Sequence, residues 1–212
     1  LYGSFFRGTD YFTFTTGSDM VKGDSTYYYI ARGSVDTMFI RYDASSGSVL
    51  SLADSPTAFS TGSELVYDST NGKIYAVGQT SNTGFYQYDI ATDTWSEITT
   101  DVLPAAPGSG ASLIYDGSQY IYYARGGSTT SFYRYDTQGS PGARWSTMAV
   151  VTASLGTGSD LIYKSGYIYT ARGLATTTFY RYSVAGDSWS TMTAVTGTVS
   201  TDGFAVDGGD SN

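Results

Sequence analysis

The chain has no cysteine and no histidine. The first absence removes disulfides, thiol nucleophiles and thiolate metal sites together. The second removes the commonest general base and the commonest transition-metal ligand. Positive charge is scarce. Three lysines (Lys22, Lys73, Lys164) and eight arginines stand against 19 acidic residues, for a formal net charge of -8. Phosphate neutralisation needs clustered Lys or Arg, so no nucleic-acid partner is expected. No apolar run approaches the roughly 20 residues of a membrane span, so no membrane insertion is expected. No window sustains a 3.6-residue apolar period, which predicts essentially no helix. Glutamate is confined to Glu64 and Glu97; every other acid is Asp. What abounds is tyrosine, 21 residues, with Ser, Thr and Gly around it. That composition suits a secreted β protein and places the chain outside the cell, on a cell surface or on a virion surface.

The abundant residues repeat. "YIYYARGGSTTSFYRYD" at 120 to 136 returns as "YIYTARGLATTTFYRYS" at 167 to 183. Four units align, about 18–62, 63–110, 111–158 and 159–201. Each opens with a short strand ("SDMVK", "SELVYD", "ASLIYD", "SDLIYK"). A β-rich run follows, ending at Arg32-Gly33, Val77-Gly78, Arg125-Gly126 or Arg172-Gly173. A polar loop leads to "MFIRYD", "GFYQYD", "SFYRYD" or "TFYRYS". Three units then reach a tryptophan, in "TDTWSEI", "GARWSTM" and "GDSWSTM"; the first has Val49 and Leu50 there. Between the first two strands, "YDSTNGK", "YDGSQY" and "YKSGY" are hairpin signals. Four short strands per 45 or so residues, repeated, predict an all-β fold, a β-propeller of four-stranded blades.

The pattern resembles kelch repeats. There a small-residue doublet ends the second strand, a Tyr-Asp lies in the third and a Trp in the fourth. Gly126-Gly127 matches the doublet in full; the other units keep one Gly, so the likeness is divergent. It covers nearly the whole chain and implies a single propeller domain over 1–212. The ends supply further strands. "SFFRGTD" resembles "SFYRYDT" and "YFTFTT" can follow it, while "FAVDGGDSN" resembles the first strand of a unit. The expectation is a five-bladed ring whose last blade is closed by 1–17 and 202–212. A fragment of a larger ring, and an open arc completed by a neighbouring chain, are the alternatives.

Seven of the eight arginines fall at repeat positions: Arg7, Arg32, Arg41, Arg125, Arg134, Arg172 and Arg181. An acid opens the next unit after most of them: Asp19 after Arg7, Glu64 after Arg41, Asp160 after Arg134 and Asp202 after Arg181. Where Gln87 replaces the arginine, Ser112 replaces the acid. A buried guanidinium must be paired. The reading is therefore that Arg–carboxylate bridges join blade to blade. The alternative is an arginine cluster for an anionic ligand such as a sialic acid carboxylate.

Enzymatic readings fare poorly. A kelch-type copper oxidase needs His and Cys. Sialidase boxes are absent apart from the Trp. Paired inner-strand carboxylates, as in five-bladed glycosidases, remain a third reading. "DGGDSN" aligns with hairpin turns and lacks EF-hand spacing. The chain is expected to need no cofactor and no metal. Its expected role is a non-catalytic structural, assembly or binding module. It would use its loops (33–37, 78–84, 126–131, 173–178) toward a protein partner or further copies of itself. A lectin-like propeller binding glycans is the alternative.

Overall fold

The structure, a computed structural model, describes residues 4–7, 10–78 and 81–200, with side chains from residue 14 onward. Among the described residues there are eighteen strands and no helix. None is therefore a helix long and apolar enough to cross a membrane. The chain divides into two compact units, 1–103 and 104–212.

The first unit begins with a hairpin, β1 (Ser4–Arg7) against β2 (Asp10–Thr13). Two four-stranded antiparallel sheets follow. One runs β3 (Asp19–Lys22), β4 (Tyr27–Ala31), β5 (Phe39–Asp43), β6 (Val49–Ser51). The other runs β7 (Glu64–Asp68), β8 (Lys73–Val77), β9 (Phe85–Asp89), β10 (Thr94–Glu97). The second unit holds β11 (Ser112–Tyr115) to β14 (Trp145–Thr147), with β12 (Tyr120–Ala124) and β13 (Phe132–Asp136) between them. Its other sheet is β15 (Leu161–Lys164), β16 (Tyr167–Ala171), β17 (Phe179–Ser183) and β18 (Ser188–Thr191). In every sheet neighbouring strands are consecutive in sequence. The four expected strands per unit are all present. The closing strand expected after Asp202 lies outside the described residues.

Turn chemistry sets the strand ends. Asp43 accepts the amide and hydroxyl of Ser45, the hydroxyl of Ser46 and that of Thr26. Those bonds, Ser45's first, hold its carboxyl well below the usual carboxylate range. Asp68, Asp89, Asp116 and Asp136 cap turns in the same way. Asp side chains reach the amide two residues on; Glu is one methylene too long for that turn. These turns favour Asp over Glu at five positions.

In three of the sheets the second strand is buried on both faces over most of its length, while in β16 Tyr167 and Tyr169 are half-buried. Ile74, Tyr75, Ala76 and Val77 are at most 2 % exposed, so alternation is lost there. In the first unit Tyr29, Phe39, Leu65, Ile74 and Tyr88 share one cluster. In the second, Tyr122, Phe132, Leu161, Ile168 and Tyr182 do the same. The two cores are near copies. Phe39 meets Tyr88 at 5.0 Å between ring centroids, edge on, and Phe132 meets Tyr182 at 4.9 Å. The three tryptophans are half-buried, because each stands on the outermost strand of its sheet.

Candidate functional site

Three kinds of repeated residue were singled out by sequence: the arginines, the acids that open each unit and the loops. The arginine on the third strand lies two residues, about 7 Å, further along the strands than the acid position. Ser112 is level with Ala124 and Phe132, whereas Arg134 is level with Tyr122 and Ile114. Arg134 and Asp160 each make other contacts. The Arg134 guanidinium lies 4.4 Å from the centroid of the Tyr120 ring, in its own sheet. Arg41 lies over Tyr27 at 4.2 Å, and Arg181 over Tyr167 at 4.7 Å. In the sheet without this arginine, Lys73 replaces the tyrosine and Gln87 turns to Ser96. Arginine thus accompanies the tyrosine of its own sheet, and a second cation would face Lys73.

The other arginines serve the loops. Arg125 Nε donates to Ala106 O at 3.0 Å and Arg172 Nε to Ser154 O at 3.1 Å. Arg32 pairs with Asp36 at 2.8 Å, within its own loop. The Arg7 side chain and Asp202 lie outside the described residues. Replacing Arg134 by Met is therefore expected to cost only about 1 kcal/mol, the scale of a half-exposed cation–π contact. Chemical denaturation checks this; a loss of about 3 to 5 kcal/mol would restore the buried ion pair.

The acids do join consecutive sheets, but through hydroxyls and amides. Asp19 accepts the Met20 amide at 2.8 Å and the Leu65 amide of the next sheet at 2.6 Å. Asp160 accepts the Ser112 hydroxyl at 2.7 Å and the Leu161 amide, also at 2.7 Å. The Leu161 amide is shared with Ser112 Oγ at 3.1 Å, and Ser159 Oγ donates to Gly110 O at 2.8 Å. An edge strand leaves amides without a ladder partner, and these side chains supply the acceptor.

No arginine neutralises Asp160. Burial pushes its carboxyl above the usual carboxylate range, against the pull of Ser112 and the Leu161 amide. The folded state therefore holds this proton more tightly than the unfolded chain. Its stabilising effect is complete below the unfolded value near 3.9 and is lost as pH rises through the raised folded value. Asp160→Asn keeps an acceptor for Ser112 and removes that titration. The variant's stability relative to wild type should rise across that window, read by urea unfolding at stepped pH. A pH-independent difference would contradict it.

A motif that the sequence reading passed over precedes each first strand: Gly17-Ser18-Asp19, Gly62-Ser63-Glu64, Gly110-Ala111-Ser112 and Gly158-Ser159-Asp160. All four glycines have φ between 73° and 88°. A Cβ on Gly17 would collide with the Ser60 carbonyl, and one on Gly110 with the Gly156 carbonyl. Recurrence of Gly-Ser-acid was the available signal.

The loops after the second strand share one conformation. Gly33, Ser34 and Val35 have φ of 80°, 61° and 59°. Gly126, Gly127 and Ser128 have 65°, 60° and 56°; Gly173, Leu174 and Ala175 have 69°, 55° and 55°. Each turn closes through an amide three residues on: Asp36 to Gly33 O, Thr129 to Gly126 O, Thr176 to Gly173 O. The Thr129 and Thr176 hydroxyls bond to the same carbonyls. Flanking segments hold the tips, with Ser34 N on Thr16 O, Gly127 N on Ser109 O and Leu174 N on Thr157 O. Left-handed non-glycine residues cost about 1–2 kcal/mol each, and the β-branched Val35 is an outlier by type. Val35 is 64 % exposed. Among the described residues, no group of three or more Asp or Glu side chains is placed to hold a metal ion.

No family model matches the chain, and no curated protein matches it. Among solved structures it is similar to that of YjhT, with a TM-score of 0.65 and 14 % sequence identity over 85 % of this chain. The chain spans 66 % of the length of that protein. The likeness shows a β-propeller-like all-β fold. In all, 722 solved chains resemble this one, and a fold so widely shared selects no activity by itself.

Proposed function

We propose that this chain is a kelch-like β-propeller module without catalytic activity. It acts outside the cell or on a virion surface by presenting its second-to-third-strand loops to a partner or to further copies of itself. The observation that carries this reading is the conformation shared by the loops at 33–36, 126–129 and 173–176. Each holds exposed residues in a left-handed tip that costs energy and that hydrogen bonds over-determine. Strain retained at three equivalent surface positions points to a role in recognition. Rigid β scaffolds with variable tips are where binding residues concentrate.

The test is sedimentation of the chain over a concentration series together with a glycan array, repeated with Val35→Lys, Ser128→Lys and Ala175→Lys. Concentration-dependent assembly that the lysines abolish supports the assembly form, and glycan binding that they abolish supports the lectin form. A chain that is monomeric throughout and binds no glycan on the array overturns the reading. So does hydrolytic turnover that is lost in Asp160→Asn with folding intact.

A further inference from the structure

Two phenols in the cores have no acceptor for their O–H. Tyr29 and Tyr122 are 1 % and 0 % exposed, and their buried hydroxyls, beside Arg41 and Arg134, donate to no acceptor. They are equivalent residues, each on the second strand of the first sheet in its unit. A buried hydroxyl without a partner carries a desolvation cost of about 1–3 kcal/mol. Such a group calls for an explanation, and an acceptor that enters the site is one.

Each hydroxyl lies beside a guanidinium. Tyr29 is directly opposite Arg41, and Tyr122 directly opposite Arg134. The arginine's charge acts on the phenol. Burial pushes the Tyr122 hydroxyl up to about 12, with Arg134 opposing the push, and Arg41 opposes the same rise at Tyr29. The arginines are half-buried. One face of each guanidinium is covered by a tyrosine ring, at 4.2 and 4.4 Å. A cation with N–H donors therefore stands next to an O–H donor that lacks an acceptor, at the same place in both units.

We propose that Arg41 with Tyr29, and Arg134 with Tyr122, are two equivalent binding sites for a small monocarboxylate. A carboxylate offers two oxygens, one for the guanidinium and one for the phenol. The tyrosine stacked on the guanidinium fixes the donor fork before the ligand arrives. Other charges limit the ligand. Asp24 acts on Tyr29 and Asp116 on Tyr122, both unfavourably for an incoming anion. Asp116 is held in place by the amides of Ser118, Gln119 and Tyr120. With the net charge of -8, they select against dianions and polyanions. Tyr67 and Tyr163, on the first strand of the following sheet, complete the polar surroundings.

This inference does not depend on the loop reading. Calorimetric titration of the whole chain with acetate, glucuronate and glucose tests it. Saturable carboxylate binding at two sites is expected, with none for glucose. Tighter binding of glucuronate than of acetate assigns the carboxylate to an acidic sugar; equal binding assigns it to the carboxylate alone. The Arg41→Gln/Arg134→Gln pair should lose binding by more than about tenfold, the scale of one charge-assisted contact. The Tyr29→Phe/Tyr122→Phe pair, which keeps both rings in place, should weaken it similarly, while Ser128→Lys should leave it unchanged. The proposal is overturned by absence of saturable carboxylate binding, by equal binding of glucose, or by affinity unchanged in the phenylalanine pair.

Discussion

Gly110→Ala is expected to cost about 3 to 5 kcal/mol, from left-handed strain of about 1–2 and backbone overpacking of about 1–3. Gly110 has φ +73°, and a Cβ there would run into the carbonyl carbon and oxygen of Gly156. Neither is the end of a flexible side chain, so relief requires the backbone to move. That backbone also carries the Ser159–Gly110 hydrogen bond, and the Ser112–Asp160 bond is two residues on. Gly117 is the control. Its φ is +78°, yet nothing lies within 4 Å of a Cβ there. Gly117→Ala should therefore show the strain alone, about 1 kcal/mol. Urea unfolding of both variants separates the contributions. Equal costs would mean that the close approach to Gly156 contributes nothing. Gly17→Ala, against the Ser60 carbonyl, should repeat the Gly110 result in the first unit.

The strands were legible because their punctuation is local. The Asp-centred turns after Tyr42, Tyr67, Tyr88, Tyr115 and Tyr135 act over two or three residues, and such spacing is visible in a sequence. The repeat fixed which strands correspond. What each side chain touches is a different matter, because it depends on how far along the strands two positions stand. Arg134 and the acid that opens the next unit recur together in the repeat, yet within its own sheet the arginine stands two residues along from the position that opens the unit. The absence of arginine where the acid is absent was real. Its cause is in the same sheet, where Lys73 replaces the stacking tyrosine. The Leu65 partner of Asp19 escaped notice because a backbone amide carries no residue letter, and the Ser112 partner of Asp160 because Ser112 was read only as a missing acid. The glycine before them was visible but was read as loop composition. The Tyr29 and Tyr122 hydroxyls, which lack an acceptor, have no sequence signal at all, since both tyrosines read as core.

Trp189→Ala should cost about 3 to 5 kcal/mol, despite the half-exposure of the ring. Trp189 meets Phe132 of the preceding sheet edge on at 5.0 Å and Tyr182 of its own at 5.1 Å. Its indole N–H donates to Ala149 O at 3.0 Å. The amide of the same Ala149 donates to Asp187 at 2.8 Å, and Asp187 also accepts the Tyr182 hydroxyl at 2.7 Å. One residue just past the preceding sheet is thus held by both its N–H and its C=O. The first unit repeats this clasp with Ala53, Asp93, Tyr88 and Trp95, at the same distances. Burial, then the bond to Asp187, raises the Tyr182 phenol above its ordinary range, which keeps it a donor. Trp189→Phe retains most of the ring contact and loses the N–H, so it should cost about 1 kcal/mol. Asp187→Ala strands the Tyr182 hydroxyl and the Ala149 amide, for about 1 to 3 kcal/mol. Both substitutions release the same alanine, so once one has freed it the other has less to lose. The Asp187→Ala/Trp189→Phe double variant should then cost less than the sum of the singles. Denaturation midpoints of the four proteins measure this. Strict additivity would show that the aspartate and the tryptophan act separately, and a cost below about 1 kcal/mol for Trp189→Ala would show that the ring does not join the two sheets.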